Sequence, residues 1–128
     1  MRKDRGGMTI LVIGWVAVIA VIGVAATSVG SLLAAREVAY TAADAAALAA
    51  AVATYPPATP RSPVALAAEY AARNGSRLIT CRCPVDLSIR PRTVTVTTGR
   101  DVEVPIFGLV TVRVSARSEF DPGRWLVG

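Results

Sequence analysis

Histidine is absent from this 128-residue chain. Without imidazole there is no Ser-His-Asp or Cys-His nucleophile and no metal site built on ring nitrogens. Lysine occurs once, against thirteen arginines, and aromatic residues make up only 5%. Those few aromatics are not interleaved with arginine, which argues against a nucleic-acid surface despite a net charge of +5. Phosphate loops, GxSxG turns and zinc-protease motifs are missing as well. The chain therefore reads as a non-enzyme with no cofactor and no small-molecule substrate. At 53% hydrophobic and 18% charged residues it is not a disordered tail. Its length holds one domain, or a membrane segment plus a small domain.

Charge is also missing locally. No charged residue lies between Arg5 and Arg36, and Ile10 to Ala26 contains nothing more polar than glycine. Ten residues of that run are Ile, Leu or Val. Each favours insertion by about 0.3–0.6 kcal/mol, with no buried charge to oppose them. As a helix, residues 8–35 would measure roughly 42 Å, more than the ~30 Å hydrocarbon core. A transmembrane helix over 8–35 is expected. Arg2, Lys3 and Arg5 outweigh Asp4 before it, whereas residues 36–55 carry one basic side chain, Arg36. The amino terminus, a basic leader over 1–7, is thus expected in the cytoplasm and the rest outside. The competing reading is a signal peptide cut at Val24-Ala25-Ala26, releasing a small secreted binding domain.

Beyond the span, Arg36 to Thr54 has no glycine or proline and is rich in alanine, which predicts a helix continuing over 36–54. Pro56-Pro57 should end it, with a stiff linker over 55–61. Ser62, Pro63 and Asn74-Gly75 punctuate a second helix. An exported α+β domain over 62–119 follows. Leu78 to Cys81 and Val85 to Ile89 are candidate strand pieces. Val94 and Val96, then Val102, Val104 and Ile106 after Gly99-Arg100, then Val110, Val112 and Val114 alternate with mostly polar residues. This predicts three or four mostly antiparallel strands with one buried face, covered by the second helix or the outer half of the first. Residues 120–128 read as a loose tail on which Trp125 can dock.

Three residue patterns bear on partners. Gly23, Thr27, Ser31 and Ala35 form one row of small residues at four-residue spacing, and Ala26, Gly30 and Ala34 form the next. Small side chains on one face let a second helix backbone approach closely in lipid. Alanine-rich composition alone also generates such rows. Cys81 and Cys83 would face the same way on a strand; a disulfide, within or between chains, and free thiols are both open. A bridge between extended i, i+2 positions lies near the ~6.8 Å limit for Cα separation. Asp101 and Glu103 read as a solvated face. Residues 36–128 hold eleven basic and eight acidic side chains, so attraction to anionic lipid or wall polymer is the mild reading of the charge.

Taken in order, the basic start ending Arg5-Gly6-Gly7, the apolar span, Ala42-Ala43-Asp44-Ala45-Ala46-Ala47-Leu48-Ala49-Ala50-Ala51, the helix end Arg73-Asn74-Gly75 and the valine strands resemble a known family. It is that of the TadE/TadG-like proteins of tight-adherence (Flp, type IVb) pilus systems, in the short form from high-GC Gram-positive bacteria. The resemblance covers residues 5–118. It implies a pilin-like fold, with a long N-terminal helix carrying an extracytoplasmic domain. It also implies a minor pilin or membrane-anchored assembly factor of a pilus or associated secretion system. Partners would be other pilin-like helices or membrane platform proteins. A third reading is a small membrane subunit that only packs against larger partners. Pilin-like precursors are cut after a glycine and carry glutamate at the fifth mature position. Here Gly7 and Met8 would flank the cut, and the fifth position is Val12. Prepilin processing is therefore not expected, and an uncut anchor is the favoured form.

Overall fold

The computed structural model describes residues 5–128; the charges of Arg2, Lys3 and Asp4, on which the expected orientation rests, lie outside the described residues. Three helices and one sheet follow in the order α1 Arg5–Ala53, α2 Pro63–Arg73, β1 Arg77–Arg82, β2 Arg92–Val104, β3 Gly108–Phe120 and α3 Pro122–Val127. The class is α+β, with a three-stranded antiparallel sheet in the order β1-β2-β3.

Helix α1 runs unbroken for 49 residues. Hydroxyl-bearing residues inside it bond backward to their own helix rather than breaking it. Thr27 and Ser28 donate to the Val24 carbonyl at 2.9 and 2.8 Å, and Ser31 donates to Thr27 at 2.8 Å. The helix stops before Pro56-Pro57, because a residue preceding proline is pushed out of helical geometry. Its end is closed by the buried Thr54, whose hydroxyl donates to Ala51 O at 2.6 Å.

Helix α2 has the punctuation its sequence foretold. Ser62 accepts from Ala65 N at 3.5 Å, and Pro63 occupies the first turn. At the other end Gly75 adopts φ +74, while Ser76 N donates to Ala71 O and Gly75 N to Ala72 O, both at 3.0 Å. That pair of bonds satisfies two carbonyls the helix would otherwise leave open.

The sheet differs from the expected strand pieces in three places. Val85 to Ile89 forms no strand; the segment loops over the end of α1, where Asp86 N donates to Thr54 O at 3.0 Å. Gly99-Arg100 does not interrupt β2. The β1–β2 register slips between Leu78 and Thr80, so Ile79 bulges, and a Cβ at Gly99 would stand 2.6 Å from Ile79 Cδ1. Glycine here makes room for a neighbour, not for a turn. The real turn is Pro105-Ile106-Phe107, between the paired Val104 and Gly108. The tail is not loose either: Asp121 caps the short α3 by accepting from Gly123 N at 3.0 Å, and Trp125 stays exposed.

The core lies between α1 and one sheet face. Ala43, Ala46, Ala47 and Ala50 of α1 and Ala67 and Ala71 of α2 meet Val94, Val96 and Ala116. Alanines on the helices leave little between backbone and sheet, so the β-branched side chains fill the space. The opposite face, with Thr93, Thr95, Thr97, Arg117 and Glu119, is polar and mostly exposed, as an antiparallel sheet covered on one side requires.

Two bonds fix how β2 runs along α1. Arg92 Nη1 donates to Thr54 O at 3.0 Å, and the buried Thr98 hydroxyl donates to Ala39 O at 2.7 Å. Strand β2 therefore runs antiparallel to α1, back toward its apolar half. The helix advances about 1.5 Å per residue and the strand about 3.3 Å, so six strand residues match roughly thirteen helix residues. Val104, six residues past Thr98, accordingly falls near the level of Ala26.

Candidate functional site

The features that bear on function are the faces of α1 and what stands against them. From Gly6 through Ala26 every residue is exposed. That stretch is long and apolar enough to cross a membrane, and none of its apolar window is buried. The helix is one rod with two environments: a bare apolar half and a half built into the domain.

From Ser28 onward one side is covered. Ser28, Ala35, Ala39, Ala42 and Ala46 are buried, spaced as one helical face. Residues two apart point about 200° apart on a helix, so Ala26 and Gly30 look away from the sheet, as do Gly23 and Ala34. All four are exposed. A Cβ at Gly14, Gly23 or Gly30 would meet nothing within 4 Å.

The two small-residue rows thus have different fates. Ala26, Gly30 and Ala34 stay on the open side. The other row winds inward, with Gly23 and Thr27 exposed, Ser31 half-buried and Ala35 buried against the domain. Thr27 and Ser31 spend their hydroxyl protons on their own helix, so any attraction along this face comes from close packing rather than from those hydrogens. Gly7 and Met8 lie in the opening turns of α1.

Cys81 and Cys83 are joined in a disulfide with Cα atoms 5.4 Å apart. β1 ends at Arg82, so Cys83 has already left the extended line and the pair is closer than a continuous strand would hold it. The two side chains flank the core. Asp101 and Glu103 are both exposed on β2. Asp101 accepts from Arg77 and, at 2.5 Å, from the Thr111 hydroxyl; the Arg77 bond, then the Thr111 bond, hold its carboxyl below the usual range. Glu69 is lowered likewise by its hydrogen bond from Arg61 and by the charges of Arg61 and Arg73, at 2.5 and 2.6 Å. Among the described residues no group of three or more Cys, Asp or Glu side chains gathers to hold a metal.

Two features escaped the sequence reading. Arg92 is one: its guanidinium donates to the carbonyls of Thr54, Asp86 and Ser88 and lies 6.0 Å from the centroid of the Tyr55 ring. It pins the 83–91 loop to the end of α1. The only signal was a lone arginine opening a threonine-valine strand. The other is the hairpin tip, where Ile106 and Phe107 stand beside α1. With Val104, Val21, Val24 and Leu32 they line an apolar groove of about 500 Å³. The uncharged run Val104 to Val110 was the sign of it.

No curated protein and no solved structure matches the chain. A family model described as "Putative Flp pilus-assembly TadE/G-like" matches residues 6–53. That range is the long helix from its bare apolar start to the last turn built into the domain. Over residues 6–53, the length of α1, the chain is similar to the TadE/G-like, putative Flp pilus-assembly family.

Proposed function

We propose that the chain is a single-pass, membrane-anchored TadE/TadG-like protein that contributes, without catalysis, to assembly of a Flp (type IVb) pilus or an associated secretion apparatus. The membrane segment lies within residues 8–35, the amino terminus is cytoplasmic, and the domain stands outside. The open face of α1 at Gly23, Ala26, Gly30 and Ala34 receives another pilin-like helix or a membrane platform protein. Thr27, Ser31 and Ala35 border that face.

The observation that carries this reading is the single unbroken helix, naked through its apolar half and packed through the other. Such a rod transmits the position of the membrane segment to the domain without a hinge. Its continuity through Val24 to Ala26 favours an anchor over a cleaved leader. The Cys81–Cys83 disulfide suits an oxidising, extracytoplasmic compartment. An impermeant thiol reagent applied to intact cells after reduction tests the topology. Labelling of Cys81 and Cys83 is expected without lysis; labelling only after lysis would reverse the orientation and remove the pilus reading.

A further inference from the structure

The β2–β3 hairpin ends in an apolar tip that nothing in the fold covers. Ile106, Phe107 and Leu109 are 85%, 75% and 73% exposed. The backbone there has proline at the second turn position, φ +76 at Ile106 and a Phe107 N–H to Val104 O bond of 3.2 Å. That is the arrangement of a type II turn, whose third position calls for glycine. Isoleucine is a poor residue for that geometry, since its branched side chain crowds the left-handed region. A large apolar side chain held at a strained, exposed position points to a role for the side chain itself.

Depth along α1 says what the tip meets. The run from Gly6 to Ala26 would cover roughly 30 Å as a helix, the thickness of a hydrocarbon core. Arg5 lies before it, and the polar series Thr27, Ser28 and Ser31 begins after it. The groove beside the tip is lined by α1 from Ala20 to Leu32, so it straddles that boundary and reaches inside it by up to roughly 9 Å at about 1.5 Å per helix residue. The tip from Val104 to Gly108 carries no charge, and the first charge behind it is Glu103, which pairs with Leu109. The tip also offers lipid few bare donors: Pro105 has none and Phe107 N–H is bonded.

We propose that the tip is a second membrane contact. In this view Ile106 and Phe107 enter the leaflet on the side of the C-terminal domain, Leu109 and Glu103 stay at its surface, and acyl chains of that leaflet fill the groove between the tip and α1. The inference rests on reading α1 as a membrane span. The domain is then held at two points, by a helix that crosses the bilayer and by a wedge that dips into it, which fixes its rotation about the α1 axis.

The full chain, reconstituted in phosphatidylcholine vesicles, tests this with an environment-sensitive fluorophore on one introduced cysteine at a time. Labelling without reductant leaves Cys81–Cys83 closed. The sites are Ile106→Cys, Phe107→Cys as a second tip position, Val18→Cys within the span and Arg117→Cys on the polar sheet face. Quenchers are acyl-brominated lipid and aqueous iodide. Tip labels are expected to be quenched by brominated lipid at least half as strongly as the Val18 label, and to be several-fold less sensitive to iodide than the Arg117 label. Tip labels as open to iodide as Arg117, with Val18 still in lipid, overturn the wedge and leave the anchor standing. Shielding of the tip from both quenchers, as a second copy seated on it would give, also overturns the wedge. A Val18 label quenched by iodide overturns the span reading and the wedge together.

Discussion

Replacing Arg92 with methionine keeps an unbranched stem of similar bulk and removes the guanidinium with all its donors. Arg92 opens β2 half-buried, with Nη1 donating to Thr54 O at 3.0 Å and Asp86 O at 2.6 Å, Nη2 to Ser88 O, and Nε to Arg90 O at 3.4 Å. Residues 83–91 have no strand pairing of their own. Their backbone tie to α1 is the Asp86 N–H bond to Thr54 O. A hydrogen bond from a charged donor is worth about 1.5–3 kcal/mol, but the loop carbonyls regain water when released. The net loss in Arg92→Met should therefore be about 2–4 kcal/mol, not the sum of four bonds. If the loop opens independently, Asp86 amide exchange should accelerate by roughly 30- to 700-fold, since about 1.4 kcal/mol is a factor of ten. Hydrogen exchange read by mass spectrometry on a peptide covering 83–91 measures this, with a peptide from α2 as the internal reference. Arg92→Lys reaches fewer carbonyls and should fall between the two. Exchange of the 83–91 peptide within about twofold of the parent in Arg92→Met would refute the reasoning.

Gly30→Leu should weaken association in a membrane two-helix assay while sparing insertion, and Gly14→Leu, off both small-residue rows, should do much less; equal association at matched expression removes the docking face. A leucine at Gly30 meets nothing within its own chain at the Cβ, so a loss there reports on a partner. Because Val12 stands where a pilin precursor carries glutamate, the Gly7–Met8 bond should stay uncut in the native membrane; an intact mass lacking residues 1–7 would show a filament-type subunit instead. Glu69, Asp86 and Asp101 are lowered in the fold, chiefly by hydrogen bonds from Arg61, Ser88 and Arg77 respectively. Their contribution is present above the unfolded carboxylate pKa and lost as pH falls through the lower folded one. Domain stability in denaturant titrations should thus decline below about pH 4. With no histidine, no side chain has an ordinary pKa between about 5 and 8. The profile should be flat there, and a midpoint that rises on acidification would contradict the assignment.

What was legible in the sequence was whatever depends on neighbours along the chain. The uncharged run and the glycine-free alanine stretch specified α1 to within a few residues. Ser62, Pro63 and Asn74-Gly75 bounded α2, because caps are local chemistry. Valine-threonine alternation marked three or four antiparallel strands with one buried face, and the sheet has three. The likeness to TadE/TadG proteins was read over residues 5–118, and the family match lies on α1.

Other features turned on contacts between segments. Gly99 looked like punctuation until Ile79 bulged over it from β1, and Val85 to Ile89 had strand-like residues but Arg92 held their carbonyls. Cys81 and Cys83 came within bonding distance because the chain bends after Arg82. Most of all, the sequence could not divide the small residues of α1 into a covered and an open side. Ala26, Gly30 and Ala34 have the same spacing and nearly the same chemistry as Ala35, Ala39 and Ala43. Local propensity depends on residue type, and these residues are alike. Only the sheet, tied to the helix where Thr98 meets Ala39, decides which of them lie in the core, which are left for a partner, and how deep the hairpin reaches.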